Sequence, residues 1–178
     1  LDHLVDLGIN AIEFMPLNEF AGDRSWGYNP AHIFSVESYY GGPAAFKALV
    51  DACHERGIAV LVDVVFNHLG PSDLGCWQFD GWSENELGGI YFYNDDRAHT
   101  PWGSTRPDFG RAEVRQWLHD AVMQWFDEYR IDGIRMDGTR WIEWTDAGNN
   151  PDGWSWMQWI NNELDTRYPG KLITAEDM

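Results

Sequence analysis

Asp137 and Glu176 are the residues on which chemistry can be built. Each closes a short apolar run, Gly133-Ile-Arg-Met-Asp137 and Lys171-Leu-Ile-Thr-Ala-Glu176. Two carboxyl groups flanking a glycosidic bond suffice for its cleavage: one protonates the leaving oxygen, and the other attacks or activates water. Strand side chains alternate faces, so Gly133, Arg135 and Asp137 share one side and a guanidinium stands behind the carboxylate. A close cation favours the ionised acid. Asp137 is therefore expected to be the charged nucleophile. Glu176, raised by partial burial, is expected to be the acid and then the base. An Arg–Asp pair also occurs as a structural ion pair, so the surroundings decide the matter. Asp63, Asn67 and His68 lie in and just after the apolar run Ile58–Phe66. A carboxylate inside such a run needs buried partners, which makes Asp63 an orienting group. Neutral His68 offers a sugar hydroxyl one donor and one acceptor. Trp26, Tyr28, Tyr39, Tyr40, Trp77, Trp82, Tyr91, Phe92 and Trp102 fit stacking surfaces for sugars, although packing under a long loop accounts for most of them.

The elements that must carry these groups follow from periodicity. Leu1, Leu4 and Val5 form the end of a helix closed by Gly8, and Ile9–Met15 reads as a buried strand stopped by Pro16. Leu17–Gly42 reads as a loop. Pro43 opens a helix through Phe46, Leu49, Val50 and Cys53, ended by Gly57. Ile58–Phe66 is apolar except for Asp63, as in a strand covered on both faces. Asn67–Gly110 is a connection long enough to suggest function. A helix follows over Ala112–Tyr129, then the strand ending at Asp137, a helix over Trp154–Tyr168, and a strand over Lys171–Ala175. Alternation of this kind predicts an α/β fold with a parallel sheet and right-handed crossovers. Polar groups gather at the strand ends: Glu13, then Asp63 with Asn67 and His68, then Arg135 with Asp137, then Glu176. Barrels and doubly wound sheets both bind ligands there. The absence of a Gly-rich phosphate turn favours the barrel.

The net charge of -17 argues against nucleic acid or acidic lipid headgroups as partners and suits a neutral substrate. No apolar run is long enough to span a membrane. Cys53 and Cys76 make neither a metal spacing nor a disulfide framework, and Cys53 reads as a reduced core thiol. His3, His32, His54, His99 and His119 have no pattern and read as structural. The chain begins at Leu1 within a helical pattern and stops just after a strand, so residues 1–178 are expected to be an internal piece of one catalytic domain.

Asp63-Val-Val-Phe-Asn-His68, Gly133-Ile-Arg-Met-Asp137 and Ala175-Glu176 resemble, in order, the first three sequence regions of the α-amylase family of glycoside hydrolases and transglycosylases. Trp26-Gly-Tyr-Asn-Pro30 resembles the segment that supplies that family's tyrosine platform. The resemblance runs the length of the chain. It implies a partial (β/α)8 TIM barrel, roughly strands 2 to 5, with Asp137 as nucleophile and Glu176 as acid/base. It also implies Tyr28, His68 and Arg135 around the sugar, with Trp26, Asp63 and Asn67 beside them. No cofactor is implied. Asn67 holds the position of a calcium ligand in calcium-dependent members, but the other ligands come from a larger inserted domain not identifiable here. A third carboxylate and its histidine are expected after a later strand, so residues 1–178 alone should be catalytically incomplete.

Tyr40-Gly-Gly-Pro43, Asn67-His-Leu-Gly-Pro71 and Thr100-Pro-Trp-Gly103 look most like bacterial glucan branching enzymes and maltooligosyl trehalose trehalohydrolases. Gly81-Trp-Ser-Glu-Asn-Glu86 and Gly89-Ile-Tyr-Phe-Tyr-Asn94 tilt the likeness toward branching. The expected substrates are α-1,4-glucans such as glycogen, starch or maltooligosaccharides, cleaved with retention in the cytoplasm. The alternatives are a hydrolase of the same family and a non-catalytic family member used as a binding subunit.

Overall fold

The computed structural model describes residues 1–177. Helix α1 (Asp2–Asp6) leads through Gly8 into β1 (Ala11–Phe14). A hairpin of β2 (Asn18–Phe20) and β3 (Pro30–Val36) follows, then α2 (Gly42–His54) and β4 (Ala59–Val64). The long connection leads to α3 (Ala112–Asp127) and β5 (Gly133–Met136). A short helix α4 (Arg140–Glu143) and a small hairpin of β6 (Trp144–Thr145) and β7 (Gly148–Asn149) precede α5 (Pro151–Arg167) and β8 (Leu172–Ala175).

The central sheet has four strands in the order β1-β4-β5-β8, all parallel. Its strands are neighbours in their chain order. A doubly wound sheet reverses direction at a switch point; this one does not, which is the arrangement of a barrel wall. The crossovers run through α2, α3 and α5, each built on an apolar stripe. Phe46, Val50 and Cys53 of α2 are buried, as are Val114, Leu118, Ala121, Val122, Trp125 and Phe126 of α3. Trp156, Ile160 and Leu164 are the buried stripe of α5. On the sheet, Val60, Val62 and Val64 are completely buried against these helices, each contributing about 1.5–3 kcal/mol relative to exposure. Trp156, also completely buried, packs on Phe66 and Phe109 and ties α5 to the end of β4 and to the long connection.

Two expectations need correction. Ile9–Met15 is not a buried strand: β1 lies at an edge of the sheet, with Ala11 and Glu13 exposed and Ile12 and Phe14 half-buried. Leu17–Gly42 is not a plain loop. Ala31, Ile33 and Val36 are buried while His32 and Phe34 face out, and this alternation builds β3 against β2 with two register shifts. Residues 140–149, to which the sequence pattern assigns no element, form α4 and the β6–β7 hairpin. Among the described residues no helix is long and apolar enough to cross a membrane.

Candidate active site

Strand register assembles the site. Asp63 of β4 pairs with Arg135 of β5, and Arg135 pairs with Thr174 of β8. Met136 pairs with Ala175, so one step further along each chain sets Asp137 beside Glu176, on the face that Asp63 and Arg135 also occupy. The two carboxyl groups therefore come from adjacent strand ends and point to one side of the sheet.

Arg135 is the hub. Its Nη1 donates to Asp63 Oδ2 and lies 3.5 Å from Asp137 Oδ1, while its Nη2 is 2.6 Å from Glu176 Oε1. Tyr28 Oη donates to the same Asp63 oxygen at 2.7 Å. Asn67 Nδ2 donates to Asp137 Oδ2 and to the Asp137 carbonyl, both at 2.8 Å, and Asn67 Oδ1 bonds the His68 ring. The Gly138 N–H donates to Glu176 Oε2 at 3.1 Å, and Thr139 binds the Glu176 carbonyl through both its N–H and its hydroxyl. Two glycines make these approaches possible. Gly27 has φ +93°, and a Cβ there would sit 2.2 Å from the Pro16 carbonyl oxygen. Gly138 has φ +51°, and a Cβ would sit 2.8 Å from Asn67 Nδ2.

The electrostatics overturn one expectation. Arg135 was to hold Asp137 ionised, with burial raising Glu176. Instead Asp137 is the deeper carboxyl, its side chain 12% exposed against 22% for Glu176. Burial pushes its pKa up to about 6, against the hydrogen bond from Asn67 and helped by the charge of Asp63 and by the adjoining Glu176, which is close enough to share a hydrogen bond. The guanidinium is taken up by Asp63, its register partner, and by Glu176, so it stands farther from Asp137. Burial also raises the Asp63 pKa despite Tyr28 and Arg135, and its second oxygen is buried without a partner. Burial lifts Tyr28 to about 12 and lowers His68 to about 4, leaving the His68 imidazole neutral near neutral pH.

Of the residues singled out from sequence, Asp63, Asn67, His68, Tyr28, Arg135, Asp137 and Glu176 meet in this cluster. Trp26 does not. It is 78% exposed and lines a cavity of about 560 Å³ with Glu13, Phe14, Met15, Tyr40 and Phe46, beside β1 and α2. A second cavity of about 590 Å³, lined by Met136, Thr139, Met157 and Ile173, includes none of the clustered carboxyl groups.

Asn67 does not suit a metal. Its Oδ1, the atom that would ligate a metal, is hydrogen-bonded to the His68 ring, and its Nδ2 donates to Asp137. Among the described residues no group of three or more His, Cys, Asp or Glu side chains is arranged to hold one. Sequence reasoning missed Arg106 and Trp141. Arg106 is fully buried and donates to the carbonyls of His99, Trp141 and Trp144. Trp141 packs its ring beside Gly138 and against Trp102. A charged residue in a loop of mixed composition carries no sequence signal of burial.

Comparison with known proteins places this geometry. Residues 1–77 match the family model described as the alpha amylase catalytic domain. A 1,4-alpha-glucan branching enzyme of Pseudoalteromonas atlantica is 35% identical over 99% of this chain and 26% of its own length. Malto-oligosyltrehalose trehalohydrolase of Saccharolobus solfataricus is 38% identical over 80% of this chain and 24% of its own. A crystal structure from Salmonella typhimurium with a provisional alpha amylase assignment superposes with a TM-score of 0.78. It has 30% identity and covers 97% of this chain and 27% of that one. The chain thus spans about a quarter of the length of the curated relatives it matches.

Proposed function

We propose that this chain of the α-amylase family supplies strands 2 to 5 of one catalytic (β/α)8 barrel, in a protein that cleaves α-1,4-glucosidic bonds with retention and passes the glycosyl group to an acceptor glucan. The carrying observation is the convergence of Asp137 and Glu176 on one guanidinium at adjacent strand ends. Asp137 attacks the anomeric carbon, and Glu176 protonates the departing oxygen and then activates the acceptor hydroxyl. Tyr28 and His68 border the sugar, and Asp63 orients Arg135 and Tyr28. The sugar must part the two carboxyl groups to the roughly 5 Å that double displacement uses. Transfer rather than hydrolysis is favoured by the loop motifs shared with branching enzymes; water in place of the acceptor gives the hydrolase reading. The free cysteines fit a reducing, cytoplasmic setting.

One observation favours a reading with the roles exchanged. Burial raises the Asp137 pKa, and Arg135 sits closer to Glu176 than to Asp137. Trapping the glycosyl-enzyme with a fluorinated glycosyl fluoride and mapping the labelled peptide separates the two. A label on Asp137 supports the proposal, and one on Glu176 exchanges the roles. In the full-length protein, Asp137→Asn is expected to lower turnover of amylose by at least about 10³-fold; undiminished activity would remove Asp137 from the mechanism.

A further inference from the structure

We propose that Thr139 is a positioning residue for Glu176, acting by clamping the backbone that carries this carboxyl group; the inference rests on the glucan reading and on the roles proposed above.

The short stretch from Met136 to Thr139 holds Glu176 from one side. The Glu176 N–H donates to the Met136 carbonyl at 2.9 Å. The Glu176 carbonyl accepts from the Thr139 N–H at 2.9 Å and from the Thr139 hydroxyl at 3.0 Å. The Gly138 N–H reaches the carboxyl group itself at 3.1 Å. Asp137 belongs to the same stretch, and its own N–H is tied back to the Val64 carbonyl at 2.9 Å. The segment that carries one carboxyl group is thus also the clamp on the other, so these bonds set how the two stand to each other. Within the described sheet β8 has β5 as its one neighbour, so no other strand there steadies its end.

The Thr139 hydroxyl is the part of the clamp that most other side chains would lack. Thr139 stands at the N-cap position of α4, where a threonine hydroxyl ordinarily accepts an N–H of the helix it opens. Here no such cap bond forms. The hydroxyl turns instead to a carbonyl 37 residues along the chain. Thr139 is buried, so its hydroxyl needs a partner within the protein. That partner is the backbone of a reacting group rather than its own helix. The turn at Gly138, φ +51°, brings both Thr139 donors to the one carbonyl. Held by two donors, the peptide after Glu176 resists rotation, and the side chain keeps its aim. Proton delivery to a leaving oxygen is sensitive to such aim: a displacement of about 1 Å can cost about 10²-fold in rate.

The test compares two reactions of the full-length protein. Amylose needs a proton on its leaving oxygen and a base for the incoming hydroxyl. α-Maltosyl fluoride with azide as acceptor needs neither: Asp137 displaces fluoride, which leaves as the anion, and azide then displaces Asp137 without losing a proton. Thr139→Val keeps the branched shape and the N–H but removes the hydroxyl. It is expected to lower kcat on amylose about tenfold with little change in KM, and to slow the fluoride–azide reaction less than about twofold. Thr139→Ser restores the hydroxyl and should recover most of the loss. Equal slowing of the two reactions, no slowing of either, or no recovery in Thr139→Ser overturns the positioning role. Should Thr139→Val fail to fold, Thr139→Ala takes its place in the same pair of reactions. The fluorinated-glycoside label separates this failure from failure of the assigned roles. Equal slowing with the label on Asp137 overturns this inference alone, and a label on Glu176 overturns both. Absence of any amylose turnover by the wild-type protein would overturn the glucan reading and this inference with it.

Discussion

Arg135 and Arg106 are both withdrawn from water, yet they are held in opposite ways. Arg135 lies on a strand and faces three carboxyl groups, those of Asp63, Asp137 and Glu176. Arg106 lies in the long connection among backbone carbonyls, and burial pulls its pKa down to about 10. The first arrangement is electrostatic: removing the cation leaves like charges crowded together. The second is a matter of hydrogen-bond satisfaction: removing it leaves carbonyls unpaired but relieves the burial of a charge. A guanidinium can therefore organise a charged centre or stitch two loops together, and the kind of partner tells which.

Replacing each arginine by methionine should separate these roles. Arg135→Met is expected to have the larger effect, a loss of about 3–5 kcal/mol of stability at neutral pH, because it strands buried carboxylates. The loss should shrink as pH falls toward 4 and those carboxyls take up protons. Arg106→Met should cost less, about 1–3 kcal/mol for the unpaired carbonyls, and should be flat over the same range, since no carboxylate faces it at contact distance. Denaturant melts at several pH values measure both. A pH-independent loss at Arg135, or a steep one at Arg106, would break the comparison.

The same contrast explains what was legible in the sequence. Asp63, Arg135, Asp137 and Glu176 lie at the ends of apolar runs, where alternation and strand order dictate which face each takes. The helices were readable because their stripes repeat every three or four residues. β3 was missed because its alternation starts at a proline and its pairing with β2 is broken by register shifts. Arg106 and Trp141 were missed because their contacts join residues 35 positions apart through loops without period. Trp26 was over-read: its neighbour Tyr28 reaches Asp63, but on an irregular segment adjacent side chains need not share a destination. The direction of the Asp137 pKa was misjudged because sequence spacing reveals a cation nearby but not the depth of the acid or the competition for the guanidinium.

That misjudged direction yields the smallest and sharpest expectation. The pKa of Asp137 is raised in the fold, from the ordinary 3.8 to about 6, chiefly by burial. Folding therefore favours its protonated form. Its contribution to stability is full below about pH 4 and is lost as pH rises through about 6. Asn is neutral at every pH and of the same shape, so Asp137→Asn should be more stable than the wild type above pH 6, by about 1–2 kcal/mol. The gain should vanish near pH 4, where the wild-type carboxyl is already neutral. Thermal melts of the two proteins across this range test it. A variant less stable than wild type at pH 7 would mean that Arg135, rather than burial, governs the Asp137 carboxyl.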